Sequence, residues 1–281
     1  MWWQKKKTVL IPSQKKVEVK AEAWTKCQAC GANLYEKRLQ ENLWVCPRCQ
    51  HHHRLTALQR LAITLDENSF QEQDGNLKSK DPLSFSALKS YREKIKEDQA
   101  KTGLQEAAVA GEGTIDDNPV EVVVTDSYFM MGSMGSVVGE KVLRAAERAQ
   151  MSRTPLLIFS ASGGGARVYE GMYSLLQMAK TAAAIGRLAE AGVPYVSILT
   201  DPTMAGVAAS FAFLGDIIIA EPGALIGFTG PRVIEQTIRA KLPPGFQSSE
   251  FLFKKGALDR VLPRREIRPL LSRLLTLFKK S

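Results

Sequence analysis

The sequence predicts an α/β protein with largely parallel strands and a small metal-bound appendage near its N-terminus. Two observations carry this reading. From residue 120 onward, short apolar runs alternate with helical patterns, the order that a parallel sheet covered by helices requires. All four cysteines fall between Cys27 and Cys49 in two close pairs, so in a chain of 281 residues they serve one local purpose and not a disulfide scaffold.

Taken in order, residues 1–24 form a basic, weakly patterned arm, 25–58 hold the cysteines, and 59–281 make one large domain. Apolar spacing predicts a short helix over 58–65, and Asp- and Asn-rich clusters then predict turns at 66–68 and 74–76. A polar helix is expected over 84–101, ending near Gly103, and a β-branched strand over 120–125 follows the turn Asp116-Asp117-Asn118-Pro119. Helices over 137–151, 166–191, 205–214 and 232–241 then alternate with strands over 155–160, 194–200, 216–220 and 224–228. Pro155, Pro194 and Pro222 punctuate the junctions, where a missing amide donor costs little. The last segment, 263–280, sets Leu270, Leu271, Leu274, Leu275 and Phe278 at helical spacing, as a packing helix would.

No apolar run approaches the roughly 20 residues of a membrane span, and Trp2-Trp3 before Lys5-Lys6-Lys7 lacks the apolar core of a secretory signal. A cytoplasmic protein with no membrane contact is expected. The formal charge of +9, concentrated toward both ends, suits an anionic partner: nucleic acid, an acidic protein or a phosphorylated cofactor.

Cys27-x-x-Cys30 and, after fifteen residues, Cys46-x-x-Cys49 match a four-thiolate zinc ribbon. Four thiolates complete a tetrahedral shell and leave no position for substrate, so the expected Zn2+ is structural. The neighbouring His51-His52-His53 is then surplus as a ligand source and reads as a polar strand end or basic surface. Arg38, Arg48 and Arg54, with the lysine-rich arm, keep nucleic-acid binding through the ribbon as the alternative.

The large domain contains neither histidine nor cysteine, which excludes from it a Ser/His/Asp triad, a Cys/His pair and a histidine general base. What it offers is glycine at two junctions: Gly132-Ser133-Met134-Gly135 and Gly163-Gly164-Gly165-Ala166-Arg167, each expected to open a helix. Amides so placed lack intrahelical partners and suit an oxyanion. Neither loop continues into the Gly-Lys-Ser/Thr of a phosphate loop or the spacing of a dinucleotide fingerprint. Asp126, Asp201, Asp216 and Glu235 sit where capping and turn formation are the commoner roles.

At these residues the chain resembles the bacterial and plastid acetyl-CoA carboxylase carboxyltransferase beta subunits. The likeness is carried by Cys27 to Arg54, by Phe129-Met130-Met131-Gly132-Ser133-Met134-Gly135, by Ser160 to Arg167, by Thr200-Asp201-Pro202-Thr203 and by the stretch from Ile226 to Thr237. It implies a crotonase-like (ClpP/crotonase) superhelix of ββα units with the ribbon near the active-site mouth. It also implies a heterotetramer of two alpha and two beta subunits, a biotin carboxyl carrier protein that delivers carboxybiotin, and a biotin carboxylase that uses ATP elsewhere in the complex. Acetyl-CoA and carboxybiotin would be the substrates. On this resemblance an enolate would be held by amides of Gly164 and Gly165 with a second donor near Met134 or Gly135. Gly132, Gly163, Arg167 and Arg232 would contact the coenzyme A. The chain departs from the family in having three glycines before Ala166, and in Gln50, Met131 and Ala205, where relatives usually carry glycine.

Overall fold

The computed structural model describes residues 24–279. All but the last residue of the basic arm expected over 1–24 lies outside them.

The chain begins with β1 (Trp24–Lys26), β2 (Asn33–Tyr35) and α1 (Glu36–Glu41), continues through α2 (Ala57–Thr64), β3 (Gln71–Gln73) and α3 (Tyr91–Thr102), and then forms the pair β4 (Ala108–Ile115) and β5 (Asn118–Thr125). Next come α4 (Ser136–Ser152), β6 (Leu156–Ser162), α5 (Met172–Glu190), β7 (Tyr195–Met204) and α6 (Ala205–Ala208). The chain closes with β8 (Ile217–Ala220), β9 (Ile226–Gly227), α7 (Pro231–Ile238), α8 (Ser249–Lys254), β10 (Arg260–Val261) and α9 (Arg264–Phe278).

One eight-stranded sheet runs β10-β8-β7-β6-β5-β4-β3, with β9 paired to the far end of β7. From β5 to β10 the neighbours are parallel, while β3, β4 and β5 form an antiparallel edge. The central strands β5 and β6 are buried along nearly their whole length, because helices cover the sheet on both sides. α4 buries Val138, Val142, Ala145 and Ala149 against β4, β5 and β6, and α9 buries Ile267, Leu271 and Leu275 against β4 and β5. The packing-helix reading of the C-terminal segment holds.

Several expected elements differ in extent: β7 runs on to Met204, β9 is only Ile226–Gly227, α7 ends at Ile238, and three helices begin or end elsewhere than expected. The polar helix begins at Tyr91, not near residue 84, because Ser90 and Glu93 form a capping box that fixes its first turn. The long helix expected from 166 begins at Met172: Arg167 is drawn into the interior, and a 3-10 turn over Val168–Glu170 intervenes. The helix expected over 205–214 is only one turn, followed by a second 3-10 turn at Phe211–Phe213. No helix of the described residues is long and apolar enough to cross a membrane.

Candidate functional site

The ribbon brings its four thiols together. Cys27, Cys30, Cys46 and Cys49 place their sulfurs within 4.8 Å of one another, with Cys27 Sγ to Cys49 Sγ at 3.6 Å and Cys30 Sγ to Cys46 Sγ at 3.9 Å. Zinc–sulfur bonds of about 2.3 Å in tetrahedral array require sulfur separations near 3.8 Å, so the residues fit the ion. Each cysteine pair sits in a matching knuckle: Gly31 N donates to Cys27 O, and Gln50 N to Cys46 O, each at 2.9 Å. Both knuckles end in the left-handed region, at Gly31 (φ 68°) and at Gln50 (φ 61°).

His51, His52 and His53 are not ligands. Nor is the triplet simply a basic surface, because His52 is buried and its Nε2 accepts a hydrogen bond from the Arg264 amide at 3.1 Å. Arg264, at the start of α9, donates to Leu43 O (2.7 Å) and His53 O (2.9 Å) on the ribbon side and to both oxygens of Glu221 (2.7 Å each) on the sheet side. Arg60 of α2 pairs with the same carboxylate at 2.7 Å. Burial alone would push the Glu221 carboxyl upward; the charge of Arg60 and the hydrogen bonds of Arg264 overcome it and hold the group down at about 2. The ribbon is thereby clasped to the domain by buried charges that no local motif announces.

The two glycine loops meet. Gly163 N and Gly164 N donate to Met131 O at 2.8 and 3.1 Å, Met134 N donates to Gly165 O at 2.7 Å, and Arg167 N returns to Met134 O at 3.0 Å. The amides of Gly163, Gly164 and Met134 therefore frame the site and already have acceptors. Among the described residues, the amides of Gly165, Ala166 and Gly206 donate to no protein oxygen. They cluster: a Cβ on Gly165 would lie 3.3 Å from Gly206 N, and one on Gly206 would lie 3.1 Å from Ala166 N. Gly206 was not singled out from the sequence. It enters because the chain turns at Ala205 (φ 52°) into α6 directly behind the glycine loop.

Only the first loop opens a helix directly, α4 with Gly135 as its N-cap. Beyond Gly165 the helix starts only at Met172, and at the start of α4 the Ser136 amide already donates to Glu170 Oε2 at 2.6 Å. Gly135 serves close packing: a Cβ there would fall 2.5 Å from Glu170 Oε1 and 2.9 Å from the Arg167 guanidinium. Gly132 (φ 69°) lies against Ala161 O, which a Cβ would approach to 2.3 Å.

Arg167 is not placed to touch a coenzyme. It is 1% exposed, donates to Glu106 through both Nη atoms (2.6 and 2.9 Å), to Tyr91 Oη (2.9 Å), and to Ser133 O (2.9 Å) and Oγ (3.1 Å). Burial would raise the Glu106 pKa, but the Arg167 charge wins and lowers it. This cluster pins Ser133, and with it the Met130–Gly132 turn, beneath the glycine loops. Glu106, sixty-one residues upstream of Arg167, carries no local sequence signal. Arg232, by contrast, is exposed on α7 and makes no ion pair among the described residues, so it is available to a ligand.

The four weighed carboxylates all hold backbone. Asp126 accepts from Ala57 N and Tyr128 N, Asp216 from Tyr195 N, and Glu235 from Leu242 N, at 2.7–3.1 Å. Asp201 accepts from Leu225 N at 3.1 Å and from Arg54 Nε at 2.9 Å.

The carboxyl transferase domain model matches residues 50–242, and the acetyl-CoA carboxylase zinc finger domain model matches residues 24–49. The chain is 57% identical over 273 residues to the acetyl-coenzyme A carboxylase carboxyl transferase subunit beta of Desulforudis audaxviator, covering 97% of this chain and 98% of that protein. It is 55% identical to the same subunit of Desulforamulus reducens, covering 96% and 93%. The chain thus belongs to the acetyl-coenzyme A carboxylase carboxyl transferase beta-subunit family. Among solved structures it is similar to transcarboxylase 12S with hydrolysed methylmalonyl-coenzyme A bound (TM-score 0.67, 27% identity), covering 86% of this chain and 44% of that one. It is also similar to a Pseudomonas malonate decarboxylase hetero-tetramer in complex with malonate (TM-score 0.60, 26% identity), covering 80% and 82%. The domain is accordingly crotonase-like.

Proposed function

We propose that the chain binds acetyl-CoA and, with an alpha subunit, carboxylates it from carboxybiotin to give malonyl-CoA for fatty-acid synthesis. The observation that carries the site is the cluster of undonated amides at Gly165, Ala166 and Gly206, in a domain with no histidine or cysteine. Such a domain cannot supply a histidine base, and a base that arrives with a substrate, as the family resemblance implies, meets the need. Cleavage of the N–CO2 bond of carboxybiotin leaves the electron pair on the ureido group, whose nitrogen takes a methyl proton from acetyl-CoA. The enolate carbon then bonds to the released carbon dioxide, and free biotin and malonyl-CoA depart. This chain holds the thioester oxygen as charge develops on it, each fixed amide contributing about 3 kcal/mol at the transition state. Gly164 and Met134 support those donors, and exposed Arg232 is the remaining candidate for a coenzyme phosphate.

The partners on this reading are alpha subunits in a two-alpha, two-beta assembly, a biotin carboxyl carrier protein, and a biotin carboxylase that consumes ATP. The test is malonyl-CoA formation from acetyl-CoA and free carboxybiotin, with the chain alone and mixed with an alpha subunit. Activity only in the mixture is expected; a well-formed complex without activity would refute the assignment. One observation favours a second role for the ribbon. Exposed Trp24 and Tyr35 stand with ring centroids 5.6 Å apart beside Arg38, an arrangement suited to stacking single-stranded bases. Binding to RNA that weakens steeply with salt would support it.

A further inference from the structure

We propose that Arg54 is a positioning residue, carrying the placement of the zinc ribbon into the glycine loop. The inference rests on the carboxyl-transfer reading above. Its observations form one continuous path of contacts. Cys46 and His51 are joined by a backbone hydrogen bond of 2.8 Å, and Val45 bridges His52, so the second zinc knuckle fixes the course of the chain that leaves it. His52 and His53 are pinned by Arg264, and the next residue, Arg54, has its carbonyl within reach of Tyr128 Oη at 3.4 Å. The Arg54 side chain thus springs from backbone that is already immobilised.

Its Nε reaches Asp201 Oδ2 at 2.9 Å, while the other carboxylate oxygen holds Leu225 N. Asp201 is therefore gripped from two sides, by the ribbon and by the segment that leads into β9. Pro202 follows, and its Cγ stands 3.0 Å from where a Cβ on Gly163 would be. Thr200 Oγ1 and Thr203 Oγ1 both donate to Ser160 O, at 2.8 and 2.9 Å, tying the end of β7 to the end of β6. Two residues past Thr203 lies Ala205, then Gly206 with its free amide. Arg54 is the ribbon's contact on the stretch that both flanks Gly163 and leads to Gly206.

An exposed ion pair between two mobile side chains is worth little, because ordering them offsets the attraction. Here the arginine backbone is clasped and the carboxylate is held by Leu225 N, so part of that ordering cost is already met. The consequence is specific. Loss of the pair leaves the fold and the zinc site intact but loosens 201–206 and, through Pro202, the loop at 163–166.

Hydrogen exchange of the full chain tests this independently of turnover. Arg54→Gln should raise amide exchange at Gly163 and Gly164, which are held by Met131 O, about 5-fold over wild type, with α4 unchanged, one zinc per chain retained, and Arg54→Lys recovering most of the protection. Because Arg54 acts through Asp201, Arg54→Gln should add nothing in an Asp201→Asn background. In the assembled enzyme the same variant should lower kcat while the KM for acetyl-CoA moves little. Unchanged exchange at Gly163 and Gly164, additivity with Asp201→Asn, or zinc loss in Arg54→Gln would each overturn the proposal. If the wild-type complex fails to make malonyl-CoA, the carboxyl-transfer reading falls, and the exchange result still decides whether the ribbon positions the loop.

Discussion

At the scale of single residues, the site is built on backbone conformations that side chains resist. Gln50, Met131 and Ala205, the three departures noted from the resemblance, all adopt positive φ, at 61°, 55° and 52°. A Cβ in that region costs on the order of 1–2 kcal/mol, so part of the chain's backbone strain falls at one zinc knuckle and at two turns flanking the glycine loop. The departures alone mark these three positions as ones where left-handed backbone would be costly; that all three adopt it is shown by the structure. Gly165 has no such latitude. It combines φ 57° with a neighbour, because a Cβ there would fall 2.6 Å from that of Ala205. Gly165→Ala should therefore displace the Gly165 and Ala166 amides and lower carboxyl transfer by about 100-fold or more, with the chain still folded and loaded with zinc. Gly163→Ala lacks the positive φ and meets only the Pro202 ring and the end of Met131, so its loss should be much smaller. Steady-state kinetics of the two variants in the assembled enzyme decide this; equal losses would show that the loop responds to bulk and not to amide placement.

At the scale of elements, the clasp between ribbon, α2, β8 and α9 is the least expected feature and the easiest to break. Glu221, fully buried at the end of β8, faces Arg60 and Arg264, and its carboxyl is held near 2 against an ordinary 4.5. A depressed carboxyl stabilises the fold above its unfolded value, and that contribution is lost as the pH falls from about 4.5 toward 2. Glu221→Gln leaves two buried arginines uncompensated and should cost about 3–5 kcal/mol at pH 7 in urea unfolding. The gap from wild type should narrow steadily below pH 4.5; a pH-independent gap would mean that packing, not charge, is responsible. The same elements show what the sequence could and could not convey. β5 through β8 were legible because each contains a short apolar run that is largely buried. β4 and β3 were not: β4 carries Gly111, and a Cβ there would lie 2.1 Å from Gln71 O, so what reads as a weak strand is a strand that must let its neighbour's backbone approach. The start of α5 was misplaced because Arg167, helical by local pattern, answers to Glu106 in a distant part of the chain.

At the scale of the whole molecule, the charge excess divides. In the C-terminal helix, Arg264 is buried against Glu221 and Arg268 pairs with Asp66 and Asp116 at 2.6 and 2.8 Å, so much of that end serves the chain itself. The surface that asks for a partner is apolar. The first half of α5 is inverted: it buries Ser174, Gln177 and Thr181 and exposes Met172, Leu175 and Leu176, which share one stripe at i, i+3 and i+4. Val168 and Tyr173 extend the exposed apolar surface, and α7 adds Val233 and Ile238 with none of its residues buried. A stable monomer seldom leaves such a surface wet, and a helix that hides hydroxyls while showing leucines is arranged for contact with another chain. An alpha subunit seated there would close over the glycine loop, since Val168 and Met172 follow Ala166 by only a few residues. Leu176→Asp should therefore abolish co-elution with the alpha subunit and malonyl-CoA formation together, while the unfolding free energy of the isolated chain stays within about 0.5 kcal/mol of wild type, as expected for an exposed site. Loss of self-association with the alpha complex intact would instead assign the stripe to a second copy of this chain; loss of stability in the isolated chain would show that the stripe supports its own fold.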